Sequence, residues 1–316
     1  MAGRASTARQ GVSRRVVLEG GAVFAAGTAL TGGSPAQAAA VSDPMVPIPL
    51  PAQVPAKEGI AQLPGTRLGY WDTDTGGDGA PVVLMHPATG SALIWGYQQP
   101  VFAKAGYRVI AYSRRGHLNS EPVPRDNPGS ASEDLHNLMQ FFGIRKFHAV
   151  ASAAGCSVTV DYAHSHPEML ASMTLACGLS GVTDPDYVKA SERLRPKGFD
   201  DMPADFRELS PSYRAANPEG AAQWLALEHK AVTGKRDGQR PVNRITFATL
   251  EKVQVPTLLI AGDADLWQPP AMTRMLARHL PNSELLVVPE AGHSIYWERP
   301  NLFNSAVLDF IGRHAK

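Results

Sequence analysis

Short apolar runs alternate with helix-like patterns along the chain from about residue 58 onward. Several runs are continuous and rich in β-branched residues, which is typical of strands covered on both faces of a sheet. These candidate strands span residues 82–85, 108–112, 147–151, 171–176, 257–261 and 284–288. An amphipathic helix is predicted over 131–143 from its i, i+3, i+4, i+7 spacing, and another after Pro300. The alternation predicts an α/β protein with a mostly parallel central sheet and helices on both faces.

The alternation is interrupted between about residues 178 and 250. This stretch is polar and helix-like, is punctuated by prolines and carries scattered aromatic residues. An insertion of this length inside an α/β sheet favours a lid over a structureless loop. We therefore predict one α/β domain over 58–316 with a lid at about 178–250. A proline-rich, extended connector over 39–57 precedes that domain.

Residues 1–38 have the organisation of an export signal. An arginine pair at 14–15 precedes an apolar stretch over 20–30, and the small-residue motif at 36–38 is typical of a cleavage site. The arginine pair resembles the twin-arginine signal, which a dedicated export machinery reads. The apolar stretch is shorter than the roughly 20 residues that span a bilayer, so no stable membrane anchor is predicted. The resemblance implies a protein exported to the periplasm or secreted.

Composition and charge argue against several classes of partner and cofactor. Hydrophobic residues make up 44% of the chain and charged residues 19%, which supports a buried core. Lys and Arg total 30 against 29 Asp and Glu, so no charge excess favours nucleic acid as a partner. Cys156 and Cys177 cannot make a disulfide framework, and their spacing predicts no zinc site. Without a phosphate-binding glycine loop or a His-Glu-x-x-His motif, we predict no cofactor and no metal.

Four short motifs follow predicted strands in a recognisable order. They read His86-Pro87-Ala88-Thr89, Ser113-Arg114-Arg115-Gly116-His117-Leu118-Asn119-Ser120, Gly262-Asp263-Ala264-Asp265 and Ala291-Gly292-His293. In this order and spacing the chain resembles the α/β-hydrolase superfamily, in its esterase, lactonase and epoxide-hydrolase-like branch. The resemblance covers nearly all of the chain after the connector. It implies the α/β-hydrolase fold, with a helical lid inserted into a mostly parallel sheet.

The chemistry of that superfamily needs a nucleophile on a sharp turn, a histidine that takes its proton, and a carboxylate that orients the histidine. His293 and Asp265 follow two successive predicted strands, so both should reach the carboxyl edge of the sheet. Asp263 is a rival for the carboxylate. The family spacing, three residues after Gly262, favours Asp265.

The nucleophile should lie on the turn after the strand at 147–151. Placing Ser152 there would put Val150 two residues upstream, where the tight turn needs a small residue. Placing position 153 there gives the small flanks Ala151 and Gly155. The downstream Tyr-Ala and His-Pro pairs, at 162–163 and 166–167, fall at the family distances counted from 153. The nucleophile position is therefore predicted to be Ala153, where serine is expected.

Three explanations for this alanine stay open. Ala153 is a substituted serine, of the kind made to trap a substrate, in a parent turn reading Ala-Ser-Ser-Ala-Gly. Alternatively, Ala153 is natural, and the fold binds a ligand or uses the His293–Asp265 pair for base chemistry. In the third explanation, Ser152 is an alternative nucleophile that acts from a slightly different turn.

The resemblance also implies an oxyanion hole and a substrate pocket. The oxyanion donors are the backbone N–H groups of Ala154, after the nucleophile position, and of Ala88, because Pro87 has no N–H. The candidate pocket residues are Pro87, Trp267, Tyr187, Tyr213 and Trp224.

We interpret the chain as an exported serine hydrolase that cleaves an ester or lactone bond in a small hydrophobic substrate. With Ala153 at the nucleophile position, this form should bind substrate and barely turn it over. The alternative interpretations are a natural non-hydrolytic protein of the same fold (a ligand-binding protein, a lyase or a cofactor-free oxygenase) and a hydrolase that uses Ser152.

Overall fold

The computed structural model of the protein describes residues 46–74, 79–232 and 238–315. The predicted twin-arginine signal over 1–38 and the first part of the connector lie outside these residues. The rest of the connector is hydrogen-bonded to the domain. The Tyr97 hydroxyl donates to the Ile48 carbonyl at 2.7 Å, and the Gln99 side chain pairs with the backbone of Val54. Within the described part of the chain, no helix is both long and apolar enough to cross a bilayer.

A single eight-stranded sheet runs through the described residues. Its strands are β1 (Lys57–Leu63), β2 (Thr66–Asp72), β3 (Pro81–Met85), β4 (Arg108–Tyr112), β5 (Phe147–Ser152), β6 (Leu170–Ala176), β7 (Thr257–Gly262) and β8 (Ser283–Val288). The spatial order is β1-β2-β4-β3-β5-β6-β7-β8. Strands β3 to β8 pair in parallel, whereas β1 pairs with β2, and β2 with β4, in antiparallel fashion. This architecture confirms the predicted fold class.

Helices cover both faces of the sheet. They are α1 (Gln99–Lys104), α2 (Ala131–Phe141), α3 (Ala154–Ser165), α4 (Pro185–Leu194), α5 (Ala204–Glu208), α6 (Pro211–Ala216), α7 (Pro218–Ala231), α8 (Phe247–Leu250), α9 (Pro270–His279), α10 (Ile295–Glu298) and α11 (Pro300–Arg313). Short 3₁₀ helices occur at Ala92–Trp95, Pro167–Met169 and Phe199–Asp201.

The alternation of side chains along the strands divides the core into two layers. In β3, Val83 and Met85 face the layer that contains the apolar sides of α2, α3 and α9. Val82 and Leu84 face the opposite layer, with the apolar sides of α1 and α11. Burying each such aliphatic side chain contributes about 1.5–3 kcal/mol, so both faces of the sheet stabilise the domain. A strand buried on both sides reads as a continuous apolar run, which explains the sequence pattern.

Helices α4 to α8 lie between β6 and β7 in the chain. We call residues 178–250 the helical insertion. Prolines occupy the first turns of α4, α6 and α7, where the missing N–H has no partner inside a helix in any case. The helical insertion carries Ser180, Arg195 and Glu208 to the carboxyl edge of the sheet, where they line a cavity.

Candidate active site

The turn between β5 and α3 is strained at Ala153. This residue has φ +48° and ψ −111°, a conformation that L residues rarely adopt and that costs about 1–3 kcal/mol. Its N–H donates to the Ala176 carbonyl at 2.9 Å, which holds the turn against the end of β6. Two residues on, a Cβ at Gly155 would lie 2.3 Å from the Met85 carbonyl oxygen. Only glycine fits there, and α3 can therefore start close to the sheet.

An imidazole and a carboxylate are paired just beyond the carboxyl ends of the neighbouring strands β8 and β7. The His293 Nδ1–H donates to Asp265 Oδ2 at 2.8 Å, and both side chains are buried. The other oxygen, Asp265 Oδ1, accepts from the backbone N–H groups of Trp267 and Gln268 at 2.8 and 2.9 Å. This geometry fixes the ring tautomer, so Nε2 is the nitrogen left to exchange protons with a substrate. The rival Asp263 instead accepts from the Glu290 N–H.

The loop that carries His293 is tied to the helical insertion. The His293 N–H donates to the Glu208 carbonyl at 2.8 Å. The buried Glu298 carboxylate accepts from the N–H groups of Gly292, Ser294 and Ser210, the last at 2.8 Å. These bonds position the imidazole relative to α5 as well as to the sheet.

Burial and neighbouring charges set the proton affinities in the site. Burial alone would lower the pKa of His293, but the charges of Asp265 and Glu208 and the hydrogen bond that the ring donates to Asp265 raise this pKa to about 9. Burial also raises the pKa of Glu208 to about 7, although His293 opposes that shift. At neutral pH the imidazole therefore favours its protonated form, and the Glu208 carboxyl binds a proton more readily than a free carboxyl does.

Two adjoining cavities flank the strained turn. One has a volume of about 230 Å³, and the other, of about 330 Å³, shares Ala88, Ala154 and Ser180 with it. The smaller cavity, which we call the catalytic cavity, is lined by Pro87, Ala88, Ala153, Ala154, Cys177, Ser180, Arg195, Glu208, Trp267, Gln268 and His293. The N–H of Ala154, in the first turn of α3, has no partner within the helix. The predicted oxyanion donors Ala88 and Ala154 thus lie beside both chambers.

The structure brings most of the predicted site residues together, but three of the pocket candidates do not line either cavity. Tyr213 and Trp224 belong to the core layer under α11 because their large apolar surfaces are buried there. Tyr187 lies behind the cavity wall, where its hydroxyl is hydrogen-bonded to Gln268 Oε1 at 2.9 Å. Pro87 and Trp267 do line the catalytic cavity.

The alternative nucleophile, Ser152, is also not brought to the cavity. It is the last residue of β5, is fully buried and is not among the residues that line either chamber. Side chains alternate along a strand, so the residue before the turn points into the packed interior when position 153 faces the cavity.

Sequence reasoning missed Glu208, Arg195, Cys177 and Gln268 as cavity residues. Cys177 directly follows β6, and its place at a strand end is a signal that could have found it. Glu208 and Arg195 lie in the helical insertion, where no strand end or motif marks a position as facing the sheet.

Cys177, Asp265 and His293 are the candidate metal-ligating group in the described part of the chain. One ligand atom from each lies within 4.8 Å of the other two. A metal there would have to displace the proton shared by His293 and Asp265 and ionise Cys177, whose pKa burial raises well above its usual value. The group therefore fits a hydrogen-bonded acid–base pair better than a metal site.

Comparison with known proteins identifies the family. The Alpha/beta hydrolase family matches residues 82–306 of the chain. The chain belongs to the α/β-hydrolase family. It is 27% identical over 282 residues to the 2-hydroxy-6-oxononadienedioate/2-hydroxy-6-oxononatrienedioate hydrolase of Burkholderia vietnamiensis, covering 79% of this chain and 93% of that protein.

Solved structures of this α/β-hydrolase family share the fold. A thermophilic esterase from Thermogutta terrifontis superposes with a TM-score of 0.66 at 23% identity. The match covers 83% of this chain and 100% of the esterase chain. The enol-lactonase from Burkholderia xenovorans LB400 superposes with a TM-score of 0.64 at 22% identity, over 80% of this chain and 100% of its own. At these identities the likeness establishes the fold.

Proposed function

We propose that this site is built to cleave the ester or lactone bond of a small hydrophobic substrate, and that the present chain lacks the attacking hydroxyl. The observation that carries the proposal is the strained turn at Ala153, which lies in one cavity with His293 and Ala154. Such strain persists where the surrounding structure over-determines it, as at a nucleophile on a sharp strand-to-helix turn.

With serine at position 153, the reaction would follow the acyl-transfer route. His293 Nε2, in its neutral form, takes the hydroxyl proton as the oxygen attacks the carbonyl carbon, and later returns that proton to the leaving alcohol. Asp265 holds the imidazole and stabilises its charged form. The N–H groups of Ala88 and Ala154 stabilise the oxyanion, and one such donor contributes roughly 3 kcal/mol to the barrier reduction.

The two chambers support the choice of substrate. The carbonyl would bind at Ala88 and Ala154, which both chambers share, so one chamber takes the acyl part and the other takes the alcohol part. Trp267 and Pro87 supply apolar walls on the catalytic side. Combined volumes of about 230 and 330 Å³ suit a small molecule rather than a polymer. The helical insertion would act as a lid over this site.

The export-signal pattern of residues 1–38 supports the proposal that the enzyme is exported. The arginine pair at 14–15 and the motif at 36–38 favour twin-arginine export to the periplasm or the medium. The substrate would then be met outside the cytoplasm.

Restoring a hydroxyl at position 153 tests the proposal. We expect A153S to hydrolyse p-nitrophenyl butyrate or a medium-ring lactone at least ~10³-fold faster than the parent chain, since a lone nucleophile is worth orders of magnitude. The parent chain should bind the same esters, measured by calorimetry. A second variant, A153S with S152A, should keep the gained activity. Failure of A153S to gain hydrolysis on any ester or lactone would count against the proposal.

A further inference from the structure

Glu208 is a buried acid that faces the catalytic cavity and has no function in acyl transfer. It is the last residue of α5 and is only 5% exposed, yet it lines the cavity together with Ala153 and His293. Its Oε2 atom is buried without a hydrogen-bond partner among the described residues. The Trp267 side chain is a hydrogen-bonding neighbour of this carboxyl and opposes the rise in its pKa. Buried polar atoms are usually paired, so a carboxyl oxygen left unpaired at a cavity wall points to a ligand that pairs with it.

The position of Glu208 is fixed relative to the imidazole. Its carbonyl accepts the His293 N–H at 2.8 Å, and two residues later the Ser210 N–H donates to Glu298 at 2.8 Å. The backbone bonds that join the helical insertion to the His293 loop thus hold Glu208 and His293 in the wall of one cavity.

Charged groups surround the Glu208 carboxyl from several elements. His293 and Asp265 face it from the strand tips, and Arg207 neighbours it on α5. Arg195 lies across the Trp267 ring, 4.9 Å from its centroid, and lines the same cavity. Burial raises the pKa of Glu208 to about 7, and the pKa of His293 is about 9, so between these values the cavity holds a carboxylate and an imidazolium together.

We propose that Glu208 is a second proton-transfer residue of this site, and that the Ala153 chain catalyses enolisation of a bound carbonyl compound. The inference rests on the carbonyl-binding oxyanion hole of the function proposed above. Glu208 removes a proton from the carbon beside the carbonyl. The C–H bonding pair becomes the C=C bond, and the carbonyl π pair moves to oxygen. The N–H groups of Ala88 and Ala154 and the protonated His293 stabilise that oxygen. The Glu208 carboxylic acid then exchanges its proton with solvent, and return of a proton from Glu208 to carbon completes the cycle.

The alanine at position 153 is consistent with this chemistry. A serine there would be close to the same carbonyl carbon and would divert it to acyl transfer. A methyl group leaves the oxyanion hole and the acid–base pair in place and cannot attack. The same cavity then supports proton transfer without a covalent intermediate.

The experiment is hydrogen–deuterium exchange of phenylacetone in D₂O in the presence of the Ala153 chain, followed by proton NMR. We expect the parent chain to exchange the protons beside the carbonyl about 10²-fold faster than buffer. E208Q should lose at least tenfold of that rate. The matched control is E192Q on the exposed face of α4, which makes the same change in the same insertion and should exchange like the parent.

Two further readouts keep the proposal falsifiable when a variant folds poorly. The exchange rate of the parent chain should be bell-shaped in pH, with limbs near 7 and 9, because Glu208 must be ionised and His293 protonated. In E208Q the pKa of the His293 ring, measured by NMR, should fall because a neighbouring negative charge is gone. No exchange in the parent chain, a flat pH profile, or full exchange in folded E208Q would overturn the proposal. Ester hydrolysis by A153S is measured separately, so either proposal can fail while the other stands.

Discussion

A single proton on His293 decides what the site can do at a given pH. The ring donates from Nδ1 to Asp265, and the charges of Asp265, Glu208 and Glu298 together raise its pKa to about 9 against the effect of burial. A general base must be unprotonated to act, so hydrolysis and enolisation need opposite states of the same ring. The site therefore favours proton donation by His293 at neutral pH.

This reasoning predicts the pH dependence of the A153S variant. Because hydrolysis needs the neutral ring, kcat/KM for p-nitrophenyl butyrate should rise with pH up to about 9. Asp265→Asn in the A153S chain removes the hydrogen-bonding carboxylate, so we expect a loss of roughly 10⁴-fold in kcat. The rising limb of the profile should also move to lower pH. Steady-state kinetics from pH 6 to 10 measure both effects.

Asp263→Asn in the same chain is the matched control. Asp263 accepts from the Glu290 N–H and does not contact the ring, so its loss should leave the profile in place. An equal loss of activity in both variants would contradict the assignment of Asp265.

Individual site residues could be predicted from the sequence when they directly follow a predicted strand. Ala153, Asp265 and His293 each follow a predicted strand within a recognisable motif, and the structure places all three at one edge of the sheet. Trp224 was predicted from its residue type alone, and packing drew it into the core instead. Glu208 has no motif around it, and its role depends on how α5 is tied to the His293 loop.

At the level of elements, the junction between α10 and the helical insertion holds the site together. The Glu298 carboxylate, at the end of α10, is 4% exposed and accepts from backbone N–H groups on both sides of the junction. A Cβ at Gly292 would lie 2.6 Å from the Ser210 nitrogen, so the two segments are in direct contact. One side chain therefore positions both His293 and Glu208.

Substituting this carboxylate should separate the two segments. Glu298→Gln places an N–H₂ group against N–H donors, so we expect a loss of about 2–3 kcal/mol in the free energy of unfolding. Urea denaturation followed by fluorescence measures this change. Glu219→Gln, at an exposed position in the first turn of α7, is the control and should stay within about 0.5 kcal/mol of the parent. Equal stabilities for the two variants would show that the junction does not depend on Glu298.

The elements that were predicted correctly are those whose hydrophobic pattern follows from burial in the sheet alone. All six parallel strands were found from short apolar runs, and all of them except the partly buried edge strand β8 are covered on both faces. The hairpin of β1 and β2 was missed. β1 is mostly exposed at the sheet edge, and its polar residues break the apolar run. The helices of the insertion are short and proline-bounded, so their ends depend on tertiary contacts rather than on periodicity.

At the scale of the whole molecule, a buried acid with a raised pKa lowers stability where it must ionise to function. Folded proteins keep such groups mainly where function needs them. Glu208 has an ordinary pKa of 4.5 and a folded-state pKa of about 7. For an acid with a raised pKa, folding is favoured fully below the unfolded value, and that contribution is lost as the pH rises through the folded value. The cost of Glu208 therefore develops between about pH 4.5 and 7.

The pH dependence of stability should show this cost directly. A shift from 4.5 to about 7 corresponds to roughly 3 kcal/mol once Glu208 is ionised. Glu208→Gln cannot ionise, so its free energy of unfolding should rise relative to the parent by up to that amount between pH 5 and 7.5. Urea denaturation of both chains at several pH values in this window measures the difference. His293 stays protonated in the folded parent throughout this window, because its pKa is about 9. If the free energies of unfolding of the two chains changed equally with pH, Glu208 would ionise as freely in the folded protein as in water. That result would contradict its assignment as a buried acid–base group.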